Sequence, residues 1–462
     1  MITSINKENI VPVIAVLLTA ICTFYFVQEL TIVQLLGLSS IVIIVVFTAL
    51  KPHAVLFLLF ALKPFIDMTW NASLFSVGEM KLSALHIVGF YVFFITAYLY
   101  FFQQQEFDQF NRNIIWIFLA INLFTSLYTI LFFKSTLVHH IDGFLRIFDA
   151  YMIYFVFSRY MHAENKKLSI IRIIWISTTL VTTFSLIVYL TGNYHITMEQ
   201  NVVRFAGVYN DPGMPSYTAV ISLIFGTLYL ELLKRKKIRP LIYKMIYLYT
   251  STITAIILVI TITKSAILMF AIFIIMWFGF YKKKLILIIP LVILGSILIY
   301  SSSQTLQTRM KAETDFFSGG EFTIEAARPL GTGRVAFWER VLTHYANNFN
   351  LFQKLFGSSA NYGAHNQYIA YLMQVGILGL FVFLIIVVRF FLKLVFLFRK
   401  YKKPDIFAAL MVLVIFLAVG VIGHTFSYTT LLWDLMILLS LVNVGHKTDL
   451  HSVVVHNNFL RY

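Results

Sequence analysis

Long stretches of this chain carry almost no charge, and that constrains its fold more than any motif does. Runs such as "IVIIVVFTAL" and "GILGLFVFLIIVV" contain no charged side chain. In hydrocarbon each backbone N–H and C=O must be paired inside its own segment, so such runs become helices. The sequence is 60% hydrophobic and 12% charged, with mean hydropathy +0.84. A soluble domain is roughly half apolar and about a quarter charged. Its 462 residues would suit about three soluble domains. No long polar linker divides the chain, so an all-α, polytopic transmembrane bundle is expected, with residues 1–462 forming one transmembrane domain.

At roughly 20 residues per span, about fourteen spans fit the sequence. They start near Val11, Leu30, His53, Ser83, Asn113, Leu145, Leu168, Ser216, Tyr243, Ser265, Leu285, Gln367, Ile406 and Tyr428. Alternate connections are basic: "HAENKK" (162–167), "KRKKIRP" (234–240), "KKK" (282–284) and "FRKYKKPD" (398–405). The fourteen-span reading puts all of these on one side. Short basic loops stay cytoplasmic, so both termini are expected inside. The net charge of +16 then reports topology. A nucleic-acid surface is the rival explanation, and the juxtamembrane position of the basic residues argues against it. The N-terminal apolar stretch after Lys7 lacks a small-residue cleavage site and is read as the first span. Cys22, the only cysteine, lies in that span and permits no intrachain disulfide.

Two outer segments exceed turn length: 192–215, and a large loop over 301–366. In the second, "GRVAFWERVLTHY" spaces Val335, Phe337, Trp338, Val341, Leu342 and Tyr345 for an amphipathic interfacial helix starting at about Gly333. "NQYIAYLMQVGILGLFVFLIIVVRFFLKLVFLF" is too long for one straight span. Gly376 and Gly379 weaken it, so residues from His365 to about Val375 are expected to form a short separate piece.

Arginine is retained where outer loops usually lack it. Arg204 lies in the first long loop. Arg309, Arg328, Arg334 and Arg340 lie in the second, which His365 closes. The guanidinium fork suits phosphate oxygens. In "PLGTGR", backbone N–H groups at a helix start beside Arg334 form an anion site; a plain glycine-rich loop is the alternative. "RFAGVYNDPGMPSY" joins Arg204 to a turn and a span with Ser216 as N-cap. His365 is a candidate base or a structural hydrogen-bonder, with Asn366 beside it. No metal-ligand spacing surrounds it, and His139-His140 suit one metal poorly. Asp67 and Glu79 are read as residues of a solvated outer loop, with a metal ligand or a base as the alternative. Arg146 and Asp149 have i, i+3 spacing for an intrahelical pair. Lys264 sits in a tight turn between spans, where snorkelling explains it. No nucleotide-binding, dinucleotide-binding or hydrolase-elbow signature is present.

The order of Arg204, then "GTGRVAFWERV", then "LFGSSANYGAHNQYIAYLMQVGILG" resembles the bacterial O-antigen polymerase and O-antigen ligase superfamily. The likeness runs from about Arg204 to Gly379; earlier residues share only hydropathy. "TKSA" at 263–266 departs from a serine-arginine pair common in the family, which leaves Lys264 without a role carried over. The resemblance implies metal-independent, inverting glycosyl transfer at the outer face of the cytoplasmic (inner) membrane, with no cofactor. The implied donor is an undecaprenyl-pyrophosphate-linked glycan. It assigns catalysis to His365, Arg334 and Arg204; beside these, the outer-loop cluster makes Arg204, Arg334, Asn366, Arg328 and Arg340 the expected substrate-binding residues. Expected partners are the lipid-linked glycan, membrane lipids and a chain-length regulator, and no nucleic acid. Polymerase of lipid-linked repeat units is the first reading. Ligase to the lipid A core, a lipid or sugar transporter, and an acyltransferase with an intramembrane histidine are the alternatives.

Overall fold

A computed structural model describes residues 43–44, 52–68, 73–77, 80–102, 111–133, 137–160, 164–192, 195–199, 202–207, 209, 211, 213–238, 241–284, 330–358, 365–423 and 429–443, with isolated positions from 307 to 323. The spans expected from Val11, Leu30 and Leu285 lie outside the described residues, except for 43–44. The described helices are α1 (Pro52–Asp67), α2 (Ala84–Phe102), α3 (Arg112–Phe133), α4 (Leu137–Tyr160), α5 (Glu164–Thr191), α6 (Gly213–Arg235) and α7 (Leu241–Thr261). There follow α8 (Lys264–Ile274, continued as a π-turn over Ile275–Tyr281), α9 (Leu330–Asn348), α10 (Leu351–Phe356), α11 (Gln367–Tyr401), α12 (Pro404–Gly420) and α13 (Thr429–Asn443). Six of the described helices are long and apolar enough to cross a membrane. This is a helical, multi-pass membrane fold. Among the described residues strands occur as two short pairs, β1 (Ser73–Val77) with β2 (Met80–Ser83) and β3 (His195–Glu199) with β4 (Val202–Gly207). The second pair lies in the segment 192–215, read from sequence as a loop.

The chain divides into two compact units: 1–92 with 168–199 and 203–266, and 93–167 with 200–202 and 267–462. In the first unit, hydroxyls join α5, α6 and α7. Thr179 bonds Ser222 at 2.7 Å and Thr250 at 3.1 Å, and Thr254 donates to the Ala219 carbonyl at 3.1 Å. Lipid gives helices no hydrophobic reason to associate, so small residues and such bonds carry the packing. Gly226 leaves room for Trp175; a Cβ there would sit 2.6 Å from the indole nitrogen.

In the second unit α11 is central. Its Phe383 packs near Phe118 of α3, with ring centroids 6.0 Å apart, and its Phe390 meets Tyr154 of α4 at 5.2 Å. Three basic connections gather at one end of this unit. Lys167 pairs with Asp405 at 3.6 Å, and Tyr281 stacks on Phe407 at 5.1 Å beside Phe398. Lys283 and Lys402 there, and Lys237 at the end of α6, adopt positive φ. A lysine gives up roughly 1 kcal/mol or more in that left-handed region, where glycine is the usual helix terminator. Positive charge at a helix C-terminus recovers part of that cost.

Candidate functional site

The segment around His365 is built on a crossing of two backbones. Gly357 (φ +85) ends α10, and Gly376 (φ +65, ψ −172) breaks α11. A Cβ on Gly357 would lie 2.3 Å from the Gln374 carbonyl oxygen, and one on Gly376 would lie 2.3 Å from the Leu355 carbonyl oxygen. The two strands of chain touch at residues without side chains. Ser358 N donates to the Met373 carbonyl at 2.8 Å, filling a position that the break in α11 leaves open. From α3, Thr125 donates to the Phe356 carbonyl at 2.6 Å and Thr129 to the Ser358 carbonyl at 3.0 Å. The short piece expected before Gly376 is present as Gln367–Val375.

His365 is exposed and has φ +47. Histidine tolerates that region better than most side chains, yet the conformation is strained. The next residue, Asn366, is the N-cap of α11: its side-chain oxygen accepts from Tyr368 N at 3.0 Å and Ile369 N at 3.1 Å. The cap fixes where the helix starts and so where the imidazole leaves the backbone.

α9 lies against this piece. Phe337, Val341, Tyr345 and Phe349 pack with Ile369 and Met373. The helix begins at Leu330, earlier than the sequence suggests, but Gly333 has φ +80 and interrupts it, so the uninterrupted run starts at Arg334. Arg334 Nη1 donates to the Ile422 carbonyl. Among the described residues this is the one bond its guanidinium makes. Tyr368, one turn past His365, donates to the Leu417 carbonyl at 2.9 Å. Both side chains thus bind the C-terminal end of α12, whose last carbonyls have no helical partners. Arg334 and the His365 segment converge on one helix end. α11 and α12 each run from that end to the basic connections, so the site lies at the opposite end of the unit from Lys283, Lys402 and Asp405. Tyr368 was not singled out from sequence; a tyrosine two residues after a cap asparagine carries no pattern of its own.

Of the other candidates, Arg340 is exposed with its guanidinium over the Phe337 ring, 5.4 Å from the centroid. Arg309 and Arg328 lie outside the described residues, as does Glu79. Arg204 belongs to the first unit and sits on β4; its side chain lies outside the described set. Within that unit β4 stands at the end opposite the 234–240 connection, because α6 runs from one to the other. The N-cap reading of Ser216 is corrected. Asp211 accepts from Gly213 N at 2.6 Å and starts α6, while Ser216 Oγ donates back to the Gly213 carbonyl at 2.9 Å. Asp67 is also corrected: it is the buried last residue of α1, paired with Lys63 one turn earlier, and not a solvated loop residue. Burial, with the Asp67 carboxylate nearby, pushes the Tyr209 hydroxyl well above its usual range, so it stays protonated. Arg146 is exposed and Asp149 buried on α4. The Lys264 turn is present, made by Ile262 at φ +44, and the adjacent Ser265 bonds the Tyr217 hydroxyl.

The fold and site define a multi-pass membrane protein whose second unit carries a guanidinium and an imidazole at the end remote from that unit's own basic connections. Residues 249–384 match the family described as O-antigen ligase, in agreement with the resemblance to the O-antigen polymerase and ligase superfamily. That stretch runs from α7 past the break at Gly376 and contains Arg334 and His365. No curated protein matches the chain.

Proposed function

We propose that this protein is a polysaccharide polymerase, joining lipid-diphosphate-linked repeat units at the outer face of the cytoplasmic membrane. The observation that supports this best is the convergence of Arg334 and the His365 segment on the end of α12. The basic connections at the other end of the unit support an outer position for that site, by the positive-inside rule.

The chemistry suits the residues. The acceptor hydroxyl oxygen attacks the anomeric carbon of the donor as the bond from that carbon to the diphosphate oxygen breaks. The diphosphate leaves with the bonding pair, and negative charge grows on its oxygens. Arg334 holds one N–H on Ile422, which fixes the plane of its fork and leaves further N–H groups to stabilise that charge. His365 takes the hydroxyl proton, or orients the hydroxyl for loss of it. A single displacement inverts the anomeric carbon, as in inverting glycoside chemistry. Asn366 holds the cap that presents His365. Arg204 is proposed, from sequence alone, as a second diphosphate-binding guanidinium, and Arg328 and Arg340 as more distant contacts with the glycan. Transfer of the glycan to the lipid A core remains the second reading, because the matched family takes its name from the ligase.

The envelope of a deletion strain tests the proposal. Loss of a polymerase leaves a single repeat unit on the core. Cores with no repeat at all would identify a ligase and overturn the polymerase reading.

A further inference from the structure

The basic end of the first unit holds an arginine that α5 presents outward. α5 has 28 residues, about 42 Å, so centred on a hydrocarbon core of about 30 Å it would overhang by about 6 Å at each end. Arg172 is eight residues after Glu164 and exposed; with that centring its Cα would lie about 6 Å inside the hydrocarbon boundary, from where its side chain can extend toward the phosphate layer. An unpaired charge there is costly. Arg172 Nη1 donates to the Tyr243 hydroxyl at 3.3 Å, and the Tyr243 ring meets Tyr229 edge-on at 5.1 Å. Trp175 completes the cluster, 5.6 Å from Tyr229 and 6.2 Å from Tyr243. Among the described residues no carboxylate pairs with Arg172. At this end the sequence supplies Lys234, Arg235, Lys236, Lys237 and Lys244 from the α6–α7 connection and the start of α7, against the carboxylates Glu231 of α6 and Glu164 at the start of α5.

From this we infer a binding site for the headgroup of an anionic phospholipid at the α5–α6–α7 end. The lipid phosphate accepts from the Arg172 guanidinium, which Tyr243 and Tyr229 hold in place. The tyrosines lie at the interface, as amphipathic rings do. The basic surplus selects a net negative headgroup over a zwitterionic one. This site lies at the end of the first unit opposite β4 and does not rest on the proposed transfer reaction.

The test uses full-length protein in phosphatidylcholine vesicles that contain an equal mole fraction of brominated phosphatidylglycerol or brominated phosphatidylcholine. The Trp175 signal is the difference between wild type and Trp175→Phe. The expected result is a preference for phosphatidylglycerol of roughly fivefold at this site, abolished in Arg172→Gln. Equal quenching by the two lipids, or a preference that survives Arg172→Gln, overturns the inference. Native mass spectrometry of wild type and Arg172→Gln gives a second reading that needs no tryptophan variant. Retained phosphatidylglycerol should fall in the variant, and unchanged retention contradicts the site.

Discussion

Substituting Gly376 with alanine should separate the His365 segment from its supports. At φ +65 and ψ −172 a side chain is strained by about 1–3 kcal/mol. The added methyl would also lie 2.3 Å from the Leu355 carbonyl oxygen, where carbon–oxygen contacts usually begin at about 3.3 Å. The obstructing atoms are backbone, so no rotamer change relieves them. α10 would have to retreat by about 1 Å, which strains the Ser358 bond to Met373 and the Thr125 bond to Phe356. The combined loss is about 3 kcal/mol, about two powers of ten in the folding equilibrium. Gly143→Ala is the control, because nothing lies within 4 Å of a Cβ there and α4 would gain about 0.5–1 kcal/mol. Thermal unfolding of purified protein in detergent reads both. Gly376→Ala with wild-type stability would refute the crossing of the two backbones.

His365→Gly should raise stability by roughly 1 kcal/mol, since it removes side-chain strain at φ +47, while polymer synthesis is lost; a loss of both would indicate a structural histidine. Arg334→Lys should stay folded but lose at least about tenfold in activity, because an ammonium keeps the charge without the planar fork; wild-type polymer yield would count against a diphosphate contact. Asp211→Ala should cost about 1 kcal/mol through the lost cap of α6, and Ser216→Ala a few tenths at most, as denaturation of the two variants side by side would show.

Apolar length made the bundle legible. Helices begin at Arg112, Lys264 and Gln367, each within a residue of the start expected from sequence. α4 begins at Leu137, well before the expected Leu145, because His139, His140, Asp142 and Arg146 depress its hydropathy although His140 is buried. The break in α11 is legible because the apolar run is too long for one straight span and glycine is its weakest helix position. Its partner Gly357 was not, since a close approach between residues 357 and 376 leaves no periodic trace. Tyr368 and Arg334 escaped as a pair for the same reason: their acceptors are main-chain carbonyls at Leu417 and Ile422, which any sequence would provide. The paired strands β3 and β4 look like a polar loop, because "HITME" and "VVRFAG" are short and weakly alternating.

The most direct measurement of the central claim is incubation of the purified protein with a single lipid-diphosphate-linked repeat unit, with the products resolved by size. A ladder from wild type, and none from His365→Ala or Arg334→Ala that remain folded, is the predicted result. No ladder from active wild-type preparations, or an undiminished ladder from either variant, contradicts the account.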